Sequence, residues 1–111
     1  MATINPDNIE RAMGKLREFK RWREDNPRAW IWAEQYALDA AAAGQHVGGA
    51  AIVEAIRCHD FADKHGRPTR TNNDYAPIII RELVKMHPTL REHIELRGSM
   101  FDAILGVADD D

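Results

Sequence analysis

Residues 26–44 read NPRAWIWAEQYALDAAAAG, and this stretch decides the fold class. Asn26 offers an N-cap side chain, Pro27 stands where a first helical residue needs no N–H, and Gly44 supplies the stop. Between them Ala29, Trp30, Ile31, Ala33, Tyr36, Ala37, Leu38, Ala40 and Ala41 cover most of the helix circumference with apolar surface. Such a helix is expected at the centre, with the others wrapped around it. Its polar strip is Arg28, Gln35 and Asp39. At 100° per residue Trp32 falls in the middle of that strip, with Tyr36 beside it.

Working outward, a second Asn-Pro pair at Asn5-Pro6 starts a basic amphipathic helix expected over about Pro6–Glu24. Ile9, Met13, Leu16, Phe19 and Trp22 form its apolar stripe. On the other side, a third helix is expected from about Val47 to Lys64. Its small residues Gly48, Gly49, Ala50, Ala51, Ala55 and Ala62 permit close approach to the alanine-rich end of helix two, and Gly66 ends it. The turn-rich run GRPTRTNNDY reads as an ordered loop. Asn73 or Asp74 caps a fourth helix running through Ile79, Ile80, Leu83 and Val84 to His87, closed by Pro88. Thr89 and Glu92 have capping-box spacing for a short fifth helix ending at Gly98, and a last turn or two is expected over Met100, Phe101, Ile104 and Leu105. No sustained alternation of β-branched residues, repeat or heptad run interrupts this series. The expected fold is all-α, a compact single-domain bundle of five or six short helices over residues 1–108, with an acidic tail at 109–111.

The chain has 111 residues, enough for one domain to bury a core without metal or disulfide staples. Its one cysteine, Cys58, excludes an internal disulfide and fits a reducing compartment. No apolar run approaches the ~20 residues that span a bilayer, and the first residues lack the basic-then-apolar order of a secretory signal. A soluble, cytoplasmic protein is expected, with no membrane partner. The net charge of −3 hides a gradient: residues 98–111 hold four aspartates and no base, so residues 1–97 carry 15 bases against 14 acids. Arg11–Arg28 holds seven bases against three acids, a local basic patch on a near-neutral body. Nucleic acid could therefore be held by one face only.

Phe19, Trp22, Asn26-Pro27, Gly44, Glu54, Ile56-Arg57, Thr71-Asn72-Asn73-Asp74-Tyr75, Arg81, Pro88, Ile94-Glu95 and Arg97 follow one another at a recognisable spacing. The series resembles small proteins encoded by phages and prophages, in which W…NP, G, E-x-I-R, NN-x-Y, R, P and R occur in that order. The resemblance covers about residues 19–97. It implies a viral or mobile-element origin and a role inside a bacterial host cell, and it carries no mechanism with it.

Several constellations bear on function. Arg57, Arg67, Arg70, Asn72, Asn73 and Arg81 could hold a nucleic-acid backbone, since guanidinium groups bond phosphates bidentately and Asn reads phosphate or an adenine edge. The same residues could instead cap a helix, satisfy loop backbone and pair with Glu54 or Asp60. The segment joining helices two and three fits a helix-turn-helix led by Gln45, His46 and residues near Ala50, or simply a tight helical hairpin. Trp32 with Tyr36 could anchor a protein–protein interface, or Trp32 could pack under helix one with Phe19 and Trp22. Among five histidines only His59 with Asp63 has ligand-like i,i+4 spacing, no HExxH or CxxC arrangement exists, and Gly48-Gly49 is no phosphate loop. No catalysis, metal or cofactor is expected. The primary expectation is a phage-type accessory protein that binds DNA through the Arg57–Arg81 region, with the helix-one bases steering. The alternative is an adaptor or inhibitor of a host protein, or a homodimer, working through Trp32 and Tyr36.

Overall fold

The computed structural model describes residues 6–94. The chain forms α1 (Pro6–Asp25), α2 (Pro27–Ala42), α3 (Gly49–Arg57) and α4 (Ala76–Met86), with 3-10 turns at Asn73–Tyr75 and Pro88–His93. It is an all-α bundle, as the punctuation of the sequence implies. Among the described residues extended pairing is limited to two isolated bridges, Val47 with Ile94 and Ala62 with Pro68. No helix there is long and apolar enough to cross a membrane. The helical turns expected beyond Ile94 and the tail at 109–111 lie outside the described residues.

Asn26 and Pro27 separate α1 from α2, by a route different from ordinary capping. The Asn26 side chain makes no cap bond. Its Nδ2 donates to the Trp22 carbonyl at 2.9 Å and its Oδ1 accepts from Thr69 Oγ1 at 2.7 Å, so this buried amide ties the α1–α2 corner to a distant loop. The α1 stripe consists of Ala12, Leu16, Phe19 and Trp22, while Met13 is 47% exposed. Phe19 sits at the middle of an aromatic group. Its ring centroid lies 5.9 Å from Trp22, 5.6 Å from Trp30 and 5.7 Å from Tyr75, the last two edge-on as the ring quadrupoles favour. Burial pushes the Tyr75 phenol above its usual pKa.

The most enclosed helix is α4, where the sequence suggests α2. Ile78, Ile79, Ile80, Arg81, Leu83 and Val84 are all buried, and α4 packs on α3 and on both 3-10 turns. The alanines of α2 make it read as apolar all round, yet a methyl group loses little by facing water. One side of α2 stays open there: Ile31 is 63% exposed. The approach of α3 to α4 is too close at Gly49 for a side chain: an added Cβ would run into the Ala76 carbonyl.

The third helix stops at Arg57, short of the expected Lys64. Residues 61–69 fold into a tight antiparallel loop in which Asp63 N–H donates to the Arg67 carbonyl at 2.7 Å and Thr69 N–H to the Phe61 carbonyl at 2.9 Å. Asp63 Oδ1 also accepts the backbone N–H groups of His65 and Arg67, and Gly66 turns the chain at φ 80°. An aspartate that can satisfy nearby amides competes with the helix for them. The loop is then fastened to the end of α1 by Lys64 N–H on the Asp25 carbonyl at 2.7 Å.

Candidate binding surfaces

The arginines around positions 57–81 do not gather into one open cluster. Arg57 Nη2 donates to the Thr71 carbonyl at 2.8 Å and its Nη1 lies 3.7 Å from Glu54. Arg67 Nε lies 3.6 Å from Asp63. Arg81, expected on an open face, is 1% exposed and donates from Nη1 to the Pro77 carbonyl at 2.9 Å. It belongs to the interior because α4 is enclosed nearly all round: Ile78, Ile79, Ile80, Leu83 and Val84, buried with it, point to almost every side of the helix. Asn72 caps the first 3-10 turn, its Oδ1 accepting Asp74 N–H at 2.9 Å. Arg70 and Asn73 are exposed, and the Arg70 carbonyl accepts the Trp22 indole N–H at 2.8 Å. Backbone and carboxylate partners thus occupy much of what phosphate was expected to meet.

Electrostatics in this region are local. The backbone N–H of Arg67, helped by that of His65, holds the Asp63 carboxyl below its usual value of 3.8. On α1, the Lys15 ammonium bonds Glu18 at 3.2 Å and Asp74 at 3.4 Å, which raises its pKa. Arg23 is also occupied, lying 4.4 Å from the Trp30 ring centroid and 3.9 Å from Glu82.

The helix-turn-helix expectation meets a steric obstacle. Residues 43–48 join α2 to α3, and α3 begins with Gly49 buried against Ala76. The start of the would-be recognition helix is therefore lodged against α4, and the exposed residues along α3 are Ala50, Ala51, Glu54 and Arg57. Alanines offer bases nothing to bond, so the arrangement reads as a helical hairpin.

Trp32 takes a third course, neither bare on the surface nor under helix one. Its ring centroid lies 5.2 Å from Tyr36, 4.3 Å from His59 and 5.7 Å from Phe61. His59 and Phe61 stack at 5.6 Å, and His59 Nδ1 sits 3.0 Å from the Ala55 carbonyl. Trp32, Tyr36 and Phe61 are half-buried and His59 is exposed, so the group forms an aromatic patch at the edge of the core. Tyr36 also borders a depression of about 270 Å³ lined by Asp39, Ala40, Gln45, His46, Val47 and Ala51. Beside the patch runs the open strip of α2 with Arg28, Ile31, Gln35 and Asp39, where Gln35 Nε2 donates to Asp39 at 2.7 Å.

His59 and Phe61 are the contributors that sequence reasoning missed. The sequence puts both inside a longer helix three, and the end of that helix at Arg57 lets them pack over Trp32. Among the described residues no group of three or more His, Cys, Asp or Glu side chains is placed to hold a metal ion. No protein-family model, curated protein or solved structure matches this chain.

Proposed function

We propose that this chain is a non-catalytic accessory protein, of the phage type its sequence pattern resembles, that docks a protein partner through Trp32, Tyr36, His59 and Phe61. The aromatic patch carries this reading. Four rings packed face to face and tilted on one another form a rigid surface, and aromatic anchors held in place before association supply most of the energy of protein interfaces. The tying down of Arg57, Arg67 and Arg81 by neighbouring groups favours the same choice over DNA binding through that region. Affinity capture from a bacterial lysate with wild type and Trp32→Ala tests it. Loss of the captured partner from a folded variant supports the patch, and an unchanged catch removes Trp32 from the binding surface.

A second reading keeps nucleic acid but moves it to α1. Arg17, Lys20 and Arg21 are exposed, lie on the side of the helix away from Phe19, and form no ion pair among the described residues. Three such cations give a salt dependence of log K on log salt with a slope no steeper than about −3. A DNA titration at two salt concentrations that shows no binding, or binding indifferent to salt, excludes this face.

A further inference from the structure

The protein-docking reading leaves the occupant of the surface open, and the open strip of α2 contains a charge pattern that selects one. We infer that it is a second copy of this chain, paired α2 to α2 in antiparallel orientation about a two-fold axis level with Ala33 and Glu34. This inference rests on the docking reading and sharpens it.

Arg28 and Asp39 lie three helical turns apart, about 16 Å along the axis at 1.5 Å per residue, and almost in line on one face. Both are exposed, one is a cation and the other an anion, and Arg28 forms no ion pair among the described residues. Among the described residues the Asp39 carboxylate is held only by the neutral Gln35 amide, at 2.7 Å, and by no cation. Their midpoint falls between Ala33 and Glu34. A two-fold axis there brings Arg28 of each copy to Asp39 of the other, giving two equivalent ion pairs from one strip.

The same operation sets the levels of the remaining residues. Ile31, 63% exposed, falls level with Tyr36 of the second copy, and Trp32 falls level with Gln35. Ile31 and Tyr36 lie about 140° apart around the helix, so the operation sets the two Ile31 side chains along one flank of the contact and the two aromatic patches along the other, and the two helix dipoles run in opposition. Self-complementarity of this sort is what an isologous dimer requires. A parallel pairing would set Arg28 against Arg28 and Asp39 against Asp39, so the charge pattern selects orientation as well as occupant. One 16-residue helix and its flanks form a small interface, which belongs to the weak, reversible class.

The test is sedimentation velocity on the full chain from about 1 µM to about 1 mM, a range that brackets weak association. Wild type is expected to pass from monomer to dimer within it. Arg28→Glu and Asp39→Lys each create like-charge contacts at both ends and are expected to weaken the dimer at least ~10-fold, with far-UV circular dichroism unchanged because both sites are exposed. An equimolar mixture of these two variants is expected to dimerise again, since every acid then meets a base. Wild type that stays monomeric throughout overturns the inference; if Trp32→Ala still abolishes capture of a lysate protein, the docking reading stands without it. A dimer that survives both single substitutions, or variants that stay apart on mixing, also overturns the antiparallel pairing.

Discussion

Trp30 and Trp32 stand two residues apart on α2 and end in two different aromatic groups. Trp30 turns inward, 5% exposed, edge-on to Phe19 and covered by the Arg23 guanidinium. Trp32, rotated by 200° on the helix, turns outward to stack with Tyr36, His59 and Phe61. The inner group draws on α1, α2 and the turn before α4, so it joins the elements of the bundle to one another. The outer group joins α2 only to the loop after α3. One helix thus divides its aromatic residues between holding the fold and presenting a surface, and the two groups should respond differently to truncation.

The largest contrast is expected within the interior. Trp30→Ala should cost about 3–5 kcal/mol of unfolding free energy, the usual range for emptying a large aromatic site in a packed core. Urea denaturation measures it directly. A loss below about 1 kcal/mol would mean that the inner rings do not hold the bundle together.

The arginines offer a parallel comparison. Arg81→Ala removes a side chain 1% exposed and should cost about 2–5 kcal/mol, whereas Arg70→Ala, at an exposed site, should stay within about 0.5 kcal/mol. Equal effects at the two positions would contradict the interior assignment of Arg81. Gly49→Ala should cost about 1–3 kcal/mol, because the new methyl group meets the Ala76 backbone, which can yield only by moving α3 away from α4. Gly48→Ala, with open space around the same atom, serves as its control.

The smallest effect concerns the loop that carries Phe61 to Trp32. The Asp63 carboxyl is held below its ordinary 3.8 by the Arg67 and His65 amides, so the folded loop favours the charged form. Its contribution is therefore complete above the ordinary value and is lost as pH falls through the lower folded value. NMR shifts of residues 61–69 should move toward loop-open values below about pH 4 while those of α1 and α4 stay put. Asp63→Asn should remove the pH dependence of the loop. Shifts that move together across the whole chain would argue against a local device.

These comparisons also explain what could be read from the sequence. The starts of α1 and α2 are visible because Asn-Pro pairs act on their own neighbours, and the all-α class follows from helices whose punctuation is local. The end of α3 is hidden, because it depends on Asp63 capturing two amides and on Asp25, distant in sequence, receiving Lys64. The importance of α4 is hidden for another reason: alanines make α2 look more buried than it is. Residue type and proximity in sequence single out the candidate DNA residues, but whether a guanidinium faces water depends on carbonyls and carboxylates that only the tertiary fold supplies. Trp32 and Tyr36 are neighbours on the strip where helical spacing puts them, but Trp32 is half-buried against His59 and Phe61 rather than exposed. Their companions His59 and Phe61 are hinted at only by Asp60 and Asp63, poor helix formers that stand before Gly66.

The most direct measurement is Trp32→Ala followed in parallel by urea denaturation and by partner capture. The account expects a stability loss of about 1–2 kcal/mol, well short of that for Trp30→Ala, together with loss of the captured protein from a fully folded variant. A stability loss as large as that of Trp30→Ala with capture unchanged at equal folded concentration would show that the outer rings are simply more core, and would contradict the division between them.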